Sequence, residues 1–118
     1  MHYRETVVWQ KAMQAVDELY RLAPRLPREE TYGMRSQITR AMVSVAANVA
    51  EGWTRETSKD KAHFLAIAQG SLAETETLPT ICERQKWFAS AETKPLRQLL
   101  DEVSRMLTPM RRNRRSNE

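Results

Sequence analysis

Residues 36–55, SQITRAMVSVAANVAEGWTR, decide how this chain is read. Advanced at about 100° per residue, Ile38, Ala41, Val45 and Val49 share one face, with Met34 just ahead of them. Thr39, Met42, Val43, Ala46, Ala47 and Ala50 cover a second face, and Gln37, Arg40, Ser44, Asn48, Glu51 and Arg55 form a narrow polar strip between the two. A helix that is apolar most of the way round is normally buried. A short chain offers it no obvious centre, so either the strip is an internal polar seam or the second face meets another subunit.

The flanking sequence supplies the helix with neighbours. Upstream, Trp9, Ala12, Met13, Val16, Leu19, Tyr20 and Ala23 repeat at three- and four-residue spacing, predicting a helix over 5–23 that stops at Pro24 and Pro27. Pro27 followed by Glu29 and Glu30 suits one helical turn before the long helix starts near Gly33. Downstream, Gly52 marks the stop, and Thr57 or Ser58 can cap a third helix from about Lys59. Its expected core stripe holds Phe64, Leu65, Ile67, Ala68, Ser71, Leu72, Thr75, Leu78, Ile81 and Cys82. Pro79 has no N–H for the carbonyl of Thr75, which predicts a kink or an early break.

After a turn over 86–90, with Ser90 or Thr93 as cap, a fourth helix carries Leu96, Leu99, Leu100, Val103, Met106, Leu107 and Met110. Pro109 is expected to end ordered structure. No alternating strand pattern appears. Four helices joined by short links imply an all-α, antiparallel up-down-up-down four-helix bundle over 1–110, followed by a basic, disordered tail over 111–118.

At 118 residues, 41% hydrophobic and 29% charged, the chain has the composition of one soluble globular domain. Cys82 is the single cysteine, and His2 and His63 are the only histidines, so no metal-ligand spacing exists. The start of the chain lacks an apolar stretch of signal-peptide length, and the run from Ala41 to Ala50 is too short to span a bilayer. A cytoplasmic protein without a membrane role is the expectation.

The formal charge of +4 is unevenly placed: residues 1–104 hold 14 basic and 14 acidic side chains. The excess sits in the tail, where Arg111, Arg112, Arg114 and Arg115 form either a solvated terminus or an arm for phosphate backbones. Arg55, Lys59 and Lys61 are secondary candidates, diluted by Glu56 and Asp60. Trp9, Trp53 and Trp87 lie near helix ends, where aromatics close a bundle; stacking on nucleic-acid bases is the alternative.

Glu74 is one heptad from both Ile67 and Ile81. A carboxylate buried there without a partner would be costly or would keep its proton, so Arg40 is its expected counter-charge, with Asn48 and Ser71 completing the hydrogen bonds. Such seams usually set register or assembly. An enzyme would need Glu51 and Glu74 as an acid/base or metal-binding pair. Di-metal bundles combine Glu with Glu-x-x-His, a context that neither histidine has. The expected protein is therefore not an enzyme and carries no cofactor.

Several stretches then carry a resemblance. They are Trp9-Gln10-Lys11-Ala12-Met13, Tyr32-Gly33, Ser36-Gln37-Ile38 with Arg40-Ala41, Ser44, Asn48-Val49-Ala50-Glu51-Gly52 and Arg55, and Gly70-Ser71 with Glu74 and Glu76. Together they resemble a bacterial four-helix-bundle family first noted as open reading frames in intervening sequences of large-subunit ribosomal RNA genes. The resemblance implies a small cytoplasmic helical protein whose recurrent polar positions fall on Arg40, Ser44, Asn48, Glu51, Ser71 and Glu74. A related branch, the accessory variability proteins of diversity-generating retroelements, consists of basic homopentamers that bind nucleic acid and a reverse transcriptase. This chain departs from that branch in its neutral body and in Pro79. The combined expectation is a homo-oligomer, pentameric by resemblance, that serves as a scaffold associated with RNA or DNA. A protein-binding adaptor is the second expectation.

Overall fold

The computed structural model describes the backbone of residues 1–116 and side chains through Asn113. Four helices account for most of it: α1 (Val7–Leu22), α2 (Met34–Thr54), α3 (Ser58–Arg84) and α4 (Ser90–Ser116), with no strand among the described residues. Each helix packs on its neighbours in the chain, and α4 closes on α1. The result is the expected four-helix bundle, 45 × 24 × 21 Å.

Local chemistry sets the helix ends. Thr6 accepts from the Trp9 amide to start α1, behind a short 3-10 turn over Tyr3–Glu5. Gly33 has no side chain to cap α2, and the Glu30 carboxylate supplies the acceptor instead, 3.1 Å from the Met34 amide. Thr57, not Ser58, caps α3 by accepting from Asp60. At its other end Lys86 adopts φ 65°, while the amides of Lys86 and Trp87 bond the carbonyls of Glu83 and Cys82. This is a Schellman closure with lysine where glycine is usual. Neither Ser90 nor Thr93 caps α4; Ser90 is its first residue, Thr93 is buried, and Glu92 accepts from the Ala89 amide.

The core runs along the bundle axis through Leu19, Leu22, Ile38, Met42, Val45, Val49, Leu65, Leu72, Leu96, Val103 and Leu107. Three expectations need correction. On α1 the buried line is Val8, Ala12, Ala15, Leu19 and Leu22, so Met13 and Tyr20 lie outside it. On α3 Ile67 and Ile81 are exposed, because the core-facing line is Leu65, Ala68, Leu72, Thr75, Leu78 and Cys82. Neither proline stops its helix: α3 runs through Pro79 to Arg84, and α4 runs through Pro109 to Ser116. Pro79 is buried beside Leu78 and Cys82. A proline inside a helix costs about 3 kcal/mol, and apolar burial on both sides of Pro79 offsets that cost and keeps the helix continuous.

Candidate nucleic-acid interface

Two sets of polar residues organise the surface. The first is the seam where α2 meets α3. Gln37 donates to Glu74 across it at 3.3 Å. One to two turns along, the hydroxyls of Ser44 and Ser71 are 2.8 Å apart, and the Asn48 amide donates to both the carbonyl and the hydroxyl of Ser44 at 2.8 and 3.0 Å. Thr75 donates to the Ser71 carbonyl. The strip ends with Glu51 in an ion pair with Arg55 at 2.6 Å, and the Arg55 guanidinium lies 4.5 Å from the centre of the Phe64 ring.

The expected Arg40–Glu74 pair does not form. Glu74 is exposed in line with Ile67 and Ile81, so it needs no buried counter-charge, and Gln37 rather than Arg40 reaches it. Arg40 is exposed and has no ion pair among the described residues. Nor do Glu51 and Glu74 come together. Glu74 sits beside Gln37, and Glu51 lies 14 residues further along the same helix, a span of about 20 Å at the helical rise. No group of three or more His, Cys, Asp or Glu among the described residues is arranged to hold a metal ion.

Sequence reasoning missed a cluster between α3 and α4. Buried Thr93 donates to Glu83, and Arg97, one turn on, contacts Glu83 and Thr93 together. Its signal was a threonine in register with Leu96 and Leu100 and an arginine four residues later. It joins two helices and opens onto solvent, which makes it a brace more than a site.

The second set is basic and lies at one end of the bundle. Antiparallel packing brings together the start of α1, the end of α2, the start of α3 and the end of α4. The Trp53 indole donates to the Met1 carbonyl at 2.9 Å, and Lys61 donates to the Trp53 carbonyl at 2.8 Å. Arg55 and Lys59 are exposed at the same turn. Met1, Trp53, Arg105 and Met110 line a common groove there, and Arg111 and Arg112 follow in the next turn of α4 at the same end of the bundle. The Nε of Arg111 is enclosed without a hydrogen-bond partner among the described residues, and Arg112 is exposed. The side chains of Arg114 and Arg115 lie outside the described residues, although their backbone continues α4. Cations that are far apart in sequence thus share one end. Cationic side chains in the last turns of α4 also suit the negative end of its dipole.

The outer side of α2 is weakly polar. Val43 and Met13 are 44% and 36% exposed, and with Trp9, Val16, Ala47 and Ala50 they border a groove of about 280 Å³ between α1 and α2. This is the part of the second apolar face that the single chain leaves uncovered; Met42 and Ala46 are buried within the bundle.

Fold and surface together define a small all-helical bundle with a hydrogen-bonded seam on its side and a concentration of cations at one end. Residues 4–109 match the family model of the 23S rRNA-intervening sequence protein, and the chain belongs to that family. A similar fold occurs in the crystal structure of a protein with unknown function from the S23 ribosomal protein family of Bacteroides thetaiotaomicron VPI-5482. That likeness has a TM-score of 0.80 at 23% identity, over 88% of this chain and 97% of that one. No curated protein matches the chain. No helix among the described residues is long and apolar enough to cross a membrane.

Proposed function

We propose that this protein is a non-enzymatic, self-assembling helical bundle of the cytoplasm that attaches to nucleic acid through its basic end. The observation that carries the reading is the convergence of Arg55, Lys59 and Lys61 with Arg105, Arg111 and Arg112 at that end. Self-assembly uses the outer side of α2 and the adjoining part of α1, where Val43 and Ala47 on α2 and Met13 on α1 stay open to water in the single chain. The resemblance described above favours a pentamer. In a ring every subunit repeats the same cations, so weak phosphate contacts add through avidity.

The test is fluorescence anisotropy with single-stranded and duplex RNA and DNA at low and moderate salt, comparing the full chain with a version ending at Met110. About four phosphate contacts per subunit give a log–log salt slope of about −3 to −4. Binding that weakens with salt and drops on truncation is the expected result. A salt-insensitive affinity for a protein partner, with no nucleic-acid binding, would favour the second reading, an adaptor that receives a helix in the α1–α2 groove. Light scattering that reports a monomer at micromolar concentration would remove the ring and the avidity with it.

A further inference from the structure

The three tryptophans do not have the same surroundings. Trp9 and Trp87 pack against the hydrophobic core, as bundle-closing aromatics do. Trp53 lies at the basic end and lines an open groove of about 520 Å³ with Val7, Met106, Pro109 and Met110, and with Arg105 on its rim. Its indole N–H is held by the Met1 carbonyl, which fixes the ring. Val7, which also lines the groove, is 56% exposed. An apolar floor of this kind with Arg105 on its rim calls for a ligand with both an apolar plane and negative charge.

We infer that this groove accepts an unstacked base of a single-stranded nucleic acid, with a neighbouring phosphate held by Arg105 on its rim. The inference rests on the nucleic-acid reading above and sharpens it from phosphate attraction to strand selection. Base and aromatic planes stack irrespective of base identity, and cationic grooves that add aromatic platforms bind single strands. In a duplex the bases are already stacked and paired, so the apolar floor gains nothing from it. Among the described residues the ion pair of Arg105 is with Asp101, exposed on both sides, which phosphate can displace. Glu5, a carboxylate on the rim, already accepts from the His2 amide.

The experiment compares two strands of equal length and charge, an oligodeoxyadenylate of about twelve nucleotides and an abasic deoxyribose-phosphate strand. The full chain is expected to bind the base-bearing strand about tenfold more tightly, a difference within the range of aromatic–base stacking. Trp53→Leu should abolish that preference while leaving affinity for the abasic strand unchanged; Trp53→Phe should keep part of it. Val7→Asp, at an exposed position where folding is not at stake, should weaken the base-bearing strand more than the abasic one. Thermal melting establishes that each variant is folded. Equal binding of the two strands by the unaltered chain overturns the groove and leaves the phosphate reading standing. A preference that survives in folded Trp53→Leu and in Val7→Asp also overturns it. Binding of neither strand removes the phosphate reading and the groove together. Trp53-dependent capture by phosphatidylglycerol vesicles, without base preference, would overturn it in favour of a lipid.

Discussion

Ser44 and Ser71 hold their hydroxyl oxygens 2.8 Å apart across the α2–α3 interface, and Asn48 donates to the Ser44 oxygen from one turn away. The group is half-buried, so its bonds compete with water only in part. Replacing either serine by alanine should cost about 1 kcal/mol. In the double variant the losses should not add, leaving a coupling of about 0.5–1 kcal/mol. Urea unfolding of the two single variants and the double variant checks this, and simple additivity would mean that each hydroxyl is solvated on its own.

Gly52 and Gly70 should respond to alanine with opposite signs. A methyl at Gly52 would come within 3.1 Å of buried Leu65 and 3.3 Å of the Lys61 carbonyl, atoms of a packed helix that cannot retreat freely. Crowding of this kind costs about 1–3 kcal/mol, more than the helical advantage of alanine. At Gly70 nothing lies within 4 Å, so the same change should stabilise α3 by about 0.5–1 kcal/mol. Thermal midpoints of the two variants should move in opposite directions.

Cys82 is fully buried, and its thiol is pushed up to about 11 by burial first and by the nearby Glu30 and Glu83 carboxylates second. The thiolate is the reactive form. Iodoacetamide should therefore leave the folded protein unmodified near pH 8 and label it rapidly in denaturant. Rapid labelling of the folded chain would mean that α3 opens locally near Pro79.

Glu76 has its carboxyl raised above the usual range, by desolvation and then by Asp101. A raised folded-state pKa means that the folded protein holds the proton more tightly. The associated stability is complete below the unfolded carboxyl pKa and is lost as pH rises through the folded one. Glu76→Gln should therefore raise the melting temperature at pH 7 and have no such advantage at pH 3. Because Glu76 is largely exposed, water and salt reduce the gain, and an equal effect at both pH values would assign it to packing.

The number and order of helices were legible because three- and four-residue spacing and proline–glycine punctuation are local signals. The residues 36–55 also announced both the polar strip and an outer side that one chain does not cover. The rotation of each helix was less legible. On α1 the large side chains Met13 and Tyr20 drew the apparent stripe away from the line of Val8, Ala15 and Leu22, because a wide apolar face can turn either way until its neighbours are known. Glu74 was misplaced for the same reason, since Ile67 and Ile81 beside it suggested burial where the bundle leaves all three exposed. Pro79 was read as a kink or an early break and Pro109 as the end of ordered structure because propensity is local, whereas the packing that offsets it is tertiary. The basic end combines residues 55–61 with 105–112, so only the antiparallel topology brings its two halves together.

That topology also gives the molecule a direction. The start of α1 and the end of α4 border the same groove, while Lys86 marks the turn at the far end of α3, a helix of 27 residues, about 40 Å away. A peptide spliced in just ahead of α1 therefore emerges beside that groove and competes with whatever it holds. One spliced in at the Lys86 turn emerges on the opposite rim. If copies assemble side by side in the same sense, those turns form a separate crown, where cargo can be grafted while the cationic face stays clear.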